Sequence, residues 1–247
     1  MSTDVLTNEL HQPETIPRTL EPAQRTAARV AGFLYLFTNA TAIFAFAARG
    51  QLIVRNDAAQ TAQNIAASER LFRLGIAAEL ITVVGVIVLL WALYVVLKPV
   101  GRNVALLAVF LRLAENFILA FVTLYEFAVL ALLNNAAYLQ ALGTQQAQGL
   151  AYTFLRVYGD GFNIGFLFLG LGSALFSYLW WKSRYIPRAL AAWGIFSSAV
   201  MALMSLAIIV LPSLATLGLT YMMPMGIYEL GLGFWLLIKG IRAPLVV

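Results

Sequence analysis

Six long apolar stretches follow a polar N-terminal segment in this chain. They lie near residues 28–48, 71–97, 104–133, 152–181, 187–211 and 217–238. Each reaches the length of about 20 residues that a helix needs to cross a bilayer. Backbone groups in hydrocarbon must find hydrogen bonds within their own segment, which favours helices, and the alternating segments of about ten residues typical of a membrane β-barrel do not occur. The pattern predicts an all-α fold, an integral membrane six-helix bundle.

The polar segment at residues 1–27 contains Pro13, Pro17 and Pro22 and no apolar run. This composition is typical of a solvated tail that cannot form a core of its own. We therefore divide the chain into a disordered tail at 1–27 and one membrane domain at 28–240.

A short helical pattern lies between the first two apolar stretches, within residues 49–70. Asp57 is followed by Gln60 three positions later, which is the spacing of a capping box, and Ile65 and Phe72 recur at helical spacing. Two interpretations fit this pattern equally well. One is a separate short helix at the membrane surface, and the other is an extension of the second span.

Lysine and arginine are distributed unevenly among the loops. Ten lie on the side of the N-terminal tail: Arg18, Arg25, Arg29, Lys98, Arg102, Lys182, Arg184, Arg188, Lys239 and Arg242. Four lie on the other side, all between the first two spans: Arg49, Arg55, Arg70 and Arg73. Because loops rich in Lys and Arg remain in the cytoplasm, we predict that both termini are cytoplasmic.

Seven ionisable side chains lie within the apolar stretches. They are Glu79, Arg112, Glu115, Glu126, Arg156, Asp160 and Glu229. A charge in the bilayer core is costly, so such residues usually pair with one another, face water or bind a ligand. We therefore predict a polar core inside the bundle.

An α-helix rises about 1.5 Å per residue, so the position of each charge along its span gives its depth in the membrane. These depths separate the charges into two layers. The outer layer contains Glu79, Glu126, Arg156 and Asp160, and the middle-to-inner layer contains Arg112, Glu115 and Glu229. We expect local pairs between Arg112 and Glu115 and between Arg156 and Asp160, since helical neighbours three or four residues apart can meet. Arg156 could alternatively reach Glu126 on the preceding helix.

Two acids have no ionic partner within their own helices. Glu79 and Glu229 are therefore the predicted protonatable or cation-binding groups. Two amides extend the polar faces of the helices, Asn116 beside Glu115 and Asn163 three residues after Asp160. The candidate polar core comprises Glu79, Arg112, Glu115, Asn116, Glu126, Arg156, Asp160, Asn163 and Glu229.

Composition narrows the chemistry. The chain has no Cys and a single His, His11, in the tail, so a thiolate or His metal site and a Ser-His-Asp triad in the membrane are excluded. The chain is 62% hydrophobic and 11% charged, so its net charge of +5 indicates membrane topology rather than nucleic-acid binding. We predict no cofactor, no metal and no nucleic-acid partner. The lipid bilayer is the expected surrounding, and the pattern leaves the oligomeric state open.

Four stretches carry a resemblance to a known family. They are AAQTAQNIAASERLFRLG at 58–75, RLAE at 112–115, SYLWWKSRYIPRALAAWGI at 177–195 and ELGLGFWLLIKG at 229–240. Together they resemble a bacterial family of multi-spanning proteins, domain of unknown function 4386, over most of residues 25–240. The resemblance implies a protein of the bacterial cytoplasmic membrane and is consistent with six spans. It implies no activity, cofactor or site residue.

Three classes of function fit these observations. The first is transport of a small molecule or ion, coupled to protons, with Glu115 and Glu229 as proton or cation sites and Arg112 as their counter-charge. The second is a non-enzymatic component that binds or senses a lipid or a protein and uses its charged core structurally. An intramembrane enzyme is the least favoured, although a carboxylate-only acid–base site at Glu115 and Glu229 stays open.

Overall fold

The computed structural model describes residues 20–242, and this part of the chain forms helices and no strand. The helices are α1 Pro22–Gly50, α2 Ala58–Ala67, α3 Glu69–Asn134, α4 Ala136–Leu142, α5 Thr144–Ser183, α6 Arg188–Val210, a 3-10 helix Pro212–Met222 and α7 Met223–Ile238. Within residues 20–242, five segments are long and apolar enough to cross a membrane: α1, α3, α5, α6 and Thr220–Ile238, which contains α7. The protein is therefore all-α, with several helices that suit a bilayer.

Helix α3 is broken near its middle. Its 66 residues would extend roughly 100 Å as one rod, about three times the hydrocarbon thickness of a bilayer. Gly101 interrupts it with extended backbone angles (φ −179°, ψ 88°), two residues after Pro99, which lacks the N–H that a helix interior requires. The first arm, residues 69–100, and the second arm, residues 102–134, fold against each other, since Asn116 donates from Nδ2 to the carbonyl oxygen of Val83 at 3.0 Å.

Helix α1 begins earlier than the sequence pattern predicts. Pro22 occupies its first turn, and the backbone N–H of Glu21 donates to the side chain of Gln24 at 3.2 Å. Gln24 is buried and donates from Nε2 to the carbonyl oxygen of Val96 at 3.1 Å, which ties the start of α1 to the first arm. Residues 22–27, predicted as tail, are thus helical, and residues 1–19, including His11, lie outside the described residues.

The short helix before the second span is a separate element, α2. Asp57 caps it by accepting from the backbone N–H of Gln60 at 2.8 Å, as the capping-box spacing predicts. Ser68, with non-helical angles, separates α2 from α3. Of the two interpretations of this loop, the structure supports the separate helix.

The long helices share one apolar core, and a second apolar core lies at the end of the bundle that contains α2. We call this end of the bundle the cap. Its buried residues come from α2, from both ends of α3 and from the start of α5, and include Ile65, Phe72, Val129 and Leu155. Helix α5 has 40 residues and is about 60 Å long, twice the bilayer core. Its first part, residues 144–160, is comparatively polar, so the cap extends beyond the hydrocarbon region.

Small residues allow the helices to approach closely. Gly161 and Gly165 of α5 contact Val122 and Leu119 of the second arm, so these two glycines form a packing surface within the chain. Gly32 of α1 packs directly on the α7 backbone. These contacts bring the polar faces of α1, α3, α5 and α7 toward a common interior.

Candidate functional site

The structure gathers the buried charges into two separate groups, each built around one arginine. The Arg49 cluster contains Arg49, Glu79, Thr123, Glu126 and Tyr158, next to the cap. The Arg112 cluster contains Asn39, Arg112, Glu115 and Glu229, farther from the cap. Each cluster has two carboxylates and one guanidinium group, so each holds one more acid than base.

The Arg49 cluster joins four helical segments. Nη1 of Arg49, in the last turn of α1, lies 2.5 Å from Oε2 of Glu79 in the first arm. The same nitrogen donates to both carboxylate oxygens of Glu126 in the second arm at 3.2 Å. Arg49 is 4% exposed, Glu79 4% and Glu126 0%, so the charges are almost fully removed from solvent.

Hydroxyl groups complete this cluster. Tyr158 of α5 donates from its hydroxyl to Oε2 of Glu79 at 2.6 Å, and the hydroxyl of Thr123 shares its proton between Oε1 of Glu79 at 3.2 Å and the carbonyl oxygen of Leu119 at 2.9 Å. The guanidinium carbon of Arg49 lies 4.8 Å from the centre of the Tyr158 ring, within cation–π range. Both oxygens of Glu79 therefore have partners, and the cluster is a closed ionic network.

The Arg112 cluster is less complete. Nη1 of Arg112 lies 3.0 Å from Oε2 of Glu115, as the i, i+3 spacing predicts, and both residues are buried. These two atoms form a close ion pair, yet neither has a partner in hydrogen-bond geometry within the described residues. Buried charged atoms that lack a hydrogen-bond partner cost free energy, and a bound ligand or proton could reduce this cost.

Glu229 faces this pair from α7. It is half-buried, and its Oε2 accepts from Nδ2 of Asn39 of α1 at 3.1 Å. It forms no ion pair within 4.0 Å in residues 20–242. Glu229 is thus the acid with the weakest local compensation in either cluster.

Glycines of α5 make room for the Arg112–Glu115 pair. A Cβ atom added at Gly172 would lie 2.7 Å from Cγ of Arg112 and 3.1 Å from the carbonyl oxygen of Ala108. A Cβ atom added at Gly165 would lie 3.8 Å from Cγ of Glu115. The position of Arg112 therefore depends on the absence of a side chain at Gly172.

Comparison with protein families gives one match. The family described as "Domain of unknown function (DUF4386)" matches residues 30–240. The chain belongs to this family. No curated protein and no solved structure matches the chain. The family match covers both clusters, and the description of the family names no reaction or ligand for them.

Two of the predicted core residues lie elsewhere in this family member. Arg156 and Asp160 are exposed on α5, and neither forms an ion pair within 4.0 Å in the part of the chain that the structure describes. The expected contacts of Arg156 with Asp160 and with Glu126 are absent there. Tyr158 and Leu155 occupy the buried face of α5, and at about 100° per residue Arg156 points away from it.

The predicted amides serve as links between helices. Asn116 bonds to the first arm, as described above. Asn163 of α5 donates to the carbonyl oxygen of Ser205 of α6 at 3.0 Å and accepts from the hydroxyl of Tyr221 at 3.3 Å. Asn163 therefore belongs to the α5–α6 contact and to neither charged cluster.

The sequence pattern missed the central residue of one cluster. The apolar pattern places Arg49 in the loop that follows the stretch at 28–48, whereas α1 continues through Gly50. Glu79, which has no ionic partner predicted within its own helix, consequently pairs with an arginine of α1. The available signal was the position of Arg49 one residue beyond a predicted span, since a long Arg side chain can reach back along the helix.

Within residues 20–242, no group of three His, Cys, Asp or Glu side chains is placed to hold a metal ion. The acids of the two clusters are instead arranged around guanidinium groups. The guanidinium group compensates one carboxylate in each cluster, so the second carboxylate is the group left to take up a proton or a monovalent cation. This is the chemistry that the two clusters can supply.

Proposed function

We propose that the protein is a six-span protein of the bacterial cytoplasmic membrane with both termini in the cytoplasm. The break in α3 at Gly101 supports counting its two arms as separate spans. Arg49 is buried and does not count as a loop charge. The loops on the cap side then carry three basic residues, Arg55, Arg70 and Arg73, and the other side carries ten. This distribution supports a cap that faces away from the cytoplasm.

We further propose that the protein moves a small solute or ion across the membrane and couples this movement to protons at the Arg112 cluster. The observation that carries the proposal is the half-buried Glu229, which faces a buried Arg112–Glu115 pair whose facing atoms lack hydrogen bonds. In this role Glu229 and Glu115 accept the proton or cation, and Arg112 supplies the counter-charge. Intramembrane acids commonly serve as proton relays in transporters.

The Arg49 cluster is less suited to exchange. Each oxygen of Glu79 already accepts a hydrogen bond, Oε2 also pairs with Arg49, and both oxygens of Glu126 contact Arg49. Displacing any of these partners would leave a buried charge uncompensated. The transport proposal therefore rests on Glu229 rather than on Glu79, the other acid that the sequence singled out.

Proton flux in liposomes tests the proposal. The full chain is reconstituted in liposomes that contain a pH-sensitive dye, and a potassium gradient with valinomycin drives proton entry. We expect flux above that of protein-free liposomes for the native chain, and a return to that background for Glu229→Gln. The matched control is Asp160→Asn, which neutralises an exposed acid outside both clusters and should retain native flux.

Two results would overturn the proposal. Native-level flux in Glu229→Gln would remove the proton site from Glu229. A native chain that is correctly folded and carries no more protons than empty liposomes would exclude proton-coupled movement under these conditions.

A second candidate is a non-enzymatic component that binds a lipid or a protein and uses its salt bridges structurally. The closed network around Arg49 favours it, because every carboxylate oxygen there already has a partner. Under this candidate, Glu229→Gln and Asp160→Asn would have equal effects on flux, whereas loss of Arg49 would still destabilise the fold.

A further inference from the structure

The buried charges of the Arg49 cluster do not balance. Arg49 supplies one positive charge, whereas Glu79 and Glu126 would supply two negative charges if both were ionised. Arg49 and Glu79 are each 4% exposed and Glu126 is 0% exposed, so solvent cannot compensate the second negative charge. An isolated charge in such surroundings is so costly that an acid is usually neutralised by a proton instead. One of the two acids therefore needs a ligand of positive charge.

No second counter-charge reaches the cluster from the surrounding helices in residues 20–242. Helices α2 and α4 contain no charged residue, and the other basic residues of α1 lie at its opposite end. The first arm begins with Arg70 and Arg73, which are both exposed. Helix α5 contributes the neutral hydroxyl of Tyr158, while Arg156 and Asp160 lie on its exposed face. One guanidinium group is thus the only positive charge in contact with the two acids in this part of the chain.

Hydrogen bonding distinguishes the two acids. Oε2 of Glu79 accepts from the hydroxyl of Tyr158 at 2.6 Å and also pairs with Arg49. Oε1 of Glu79 accepts from Thr123 at 3.2 Å. Both oxygens of Glu126 share a single donor, Nη1 of Arg49, at 3.2 Å. Because donors favour the ionised form of a carboxylate, the negative charge belongs on Glu79, and Glu126 is the acid that remains to be neutralised.

The surroundings of the two acids suit a proton rather than a metal cation. A metal cation takes several oxygen ligands at once, whereas both carboxylates here are directed at the same nitrogen, Nη1 of Arg49. The rings of Phe46, Tyr158 and Phe162 lie beside the guanidinium group, with their centres 5.6, 4.8 and 6.0 Å from its central carbon. Since both carboxylates contact one nitrogen, they are also close enough to oppose each other's ionisation. A proton on one acid removes this repulsion and needs no additional ligands.

We propose that the Arg49 cluster binds one proton, which is held on Glu126 at weakly acidic pH and is lost as the pH rises. With the proton in place, Glu79 carries the charge that pairs with Arg49, and Glu126 is a neutral acid that accepts from Arg49. Without the proton, two carboxylates share one guanidinium group in a site that solvent does not reach. The contacts of α1 with both arms of α3 are therefore sensitive to pH. The site is separate from the Arg112 cluster, so the proposal does not depend on transport.

Infrared spectroscopy of the full chain tests for the proton. The protein is purified in dodecyl maltoside, a detergent without a carbonyl group, and the carbonyl stretch of protonated carboxylic acids is recorded from weakly acidic to alkaline pH. We expect the native spectrum at weakly acidic pH to contain the band of one acid that Glu126→Gln lacks, and this band to fade as the pH rises. Asp160→Asn, which removes an exposed acid on α5, is the matched control and should retain the band. Identical bands in the native chain and in Glu126→Gln would overturn the proposal.

The stabilities of two isosteric variants test which acid holds the proton. Glu126→Gln resembles a neutral acid, so the SDS fraction at its midpoint of unfolding should stay close to the native value at weakly acidic pH. Glu79→Gln removes the charge that three donors stabilise, so its midpoint should shift to a clearly lower SDS fraction. A larger shift for Glu126→Gln than for Glu79→Gln, or a Glu126→Gln chain that does not fold, would overturn the assignment to Glu126.

The pH dependence of stability provides a separate count of the bound proton. A solvated glutamate loses its proton near about pH 4.3, so from roughly pH 5 to 6 the folded chain binds one proton more than the unfolded chain at this site. Stability should therefore fall as the pH rises, and the equilibrium constant of unfolding should rise about tenfold more per pH unit in the native chain than in Glu126→Gln. Asp160→Asn should keep the native slope. Equal slopes in the native chain and in Glu126→Gln would show that no proton is bound at Glu126.

Discussion

The guanidinium group of Arg49 contacts two acids from the two arms of α3, with Nη1 2.5 Å from Oε2 of Glu79 and 3.2 Å from Oε1 of Glu126. One side chain at the end of α1 thereby connects both arms of a broken helix. Tyr158 brings α5 into the same contact. The Arg49 cluster therefore connects α1, both arms of α3 and α5 through polar contacts next to the cap.

Replacing Arg49 by Gln should destabilise the protein strongly. The change leaves Glu79 and Glu126 buried without a counter-charge, and removing one partner of a buried ion pair costs about 3–5 kcal/mol. We expect a lower free energy of unfolding in detergent, measured by SDS titration with tryptophan fluorescence.

Arg156→Gln is the matched control for this change. Arg156 is exposed on α5 and has no ion pair within 4.0 Å in residues 20–242, so its loss should change stability by less than about 0.5 kcal/mol. Equal stabilities of the two variants would contradict the structural role of Arg49.

The hydroxyl of Tyr158 makes a distinct contribution to the same cluster. Tyr158→Phe keeps the ring beside Arg49 and removes only the 2.6 Å hydrogen bond to Glu79. A hydrogen bond to a charged group contributes about 1.5–3 kcal/mol, so we expect a loss of that size in the SDS titration. Tyr138→Phe, at an exposed position in α4, should be neutral. A neutral Tyr158→Phe would show that this bond adds no stability.

The apolar pattern predicted most of the helical structure because length and hydrophobicity are sufficient to mark a membrane helix. The sequence also predicts Asp57 as the N-terminal capping residue of α2, since helix capping depends on residues close in sequence. The Arg112–Glu115 pair was found for the same reason. Features that depend on residues within one or two helical turns of each other can thus be predicted from this sequence.

Contacts between distant segments were not predictable from spacing. Arg49 and Glu126 are 77 residues apart, and the pattern gave no reason to bring them together. Arg156 and Asp160 do not lie in the polar core, because a helix within an apolar stretch still has an exposed face. Helix α5 is longer than a bilayer, and these two charges lie on its exposed face near the polar cap.

Substitution of Gly172 should disturb the Arg112 cluster. In Gly172→Ala the added methyl group would meet Cγ of Arg112 and the backbone of Ala108, so α5 and the second arm must move apart. We expect a loss of about 1–3 kcal/mol, the usual cost of overpacking, in the SDS titration. Gly159→Ala is the control, because open space surrounds that position and Ala favours a helix. A stabilising effect at both glycines would contradict the close contact at Gly172.

The proposed topology predicts which side of the membrane the cap faces. Because the chain has no Cys, a single Thr144→Cys variant provides a unique label at the start of α5. We expect it to react with a membrane-impermeant maleimide in intact cells. Lys182→Cys, at an exposed position near the other end of α5, should react only after the cells are opened. Labelling of position 182 alone in intact cells would invert the topology.

The pairing of Arg112 with Glu115 can be separated from simple packing by a double-mutant cycle. Glu115 is only 3% exposed, and Arg112→Gln removes its ionic partner. We therefore expect the free energy of unfolding in the SDS titration to fall by about 3–5 kcal/mol. Glu115→Gln removes the stranded charge, and the double variant should therefore recover a large part of the stability lost by Arg112→Gln. Glu229→Gln combined with Arg112→Gln should recover less, because Glu229 is half-buried and lies beyond 4.0 Å from Arg112. Additive losses in the double variant of Arg112 and Glu115 would mean that the two residues contribute independently and that the ion pair adds no stability of its own.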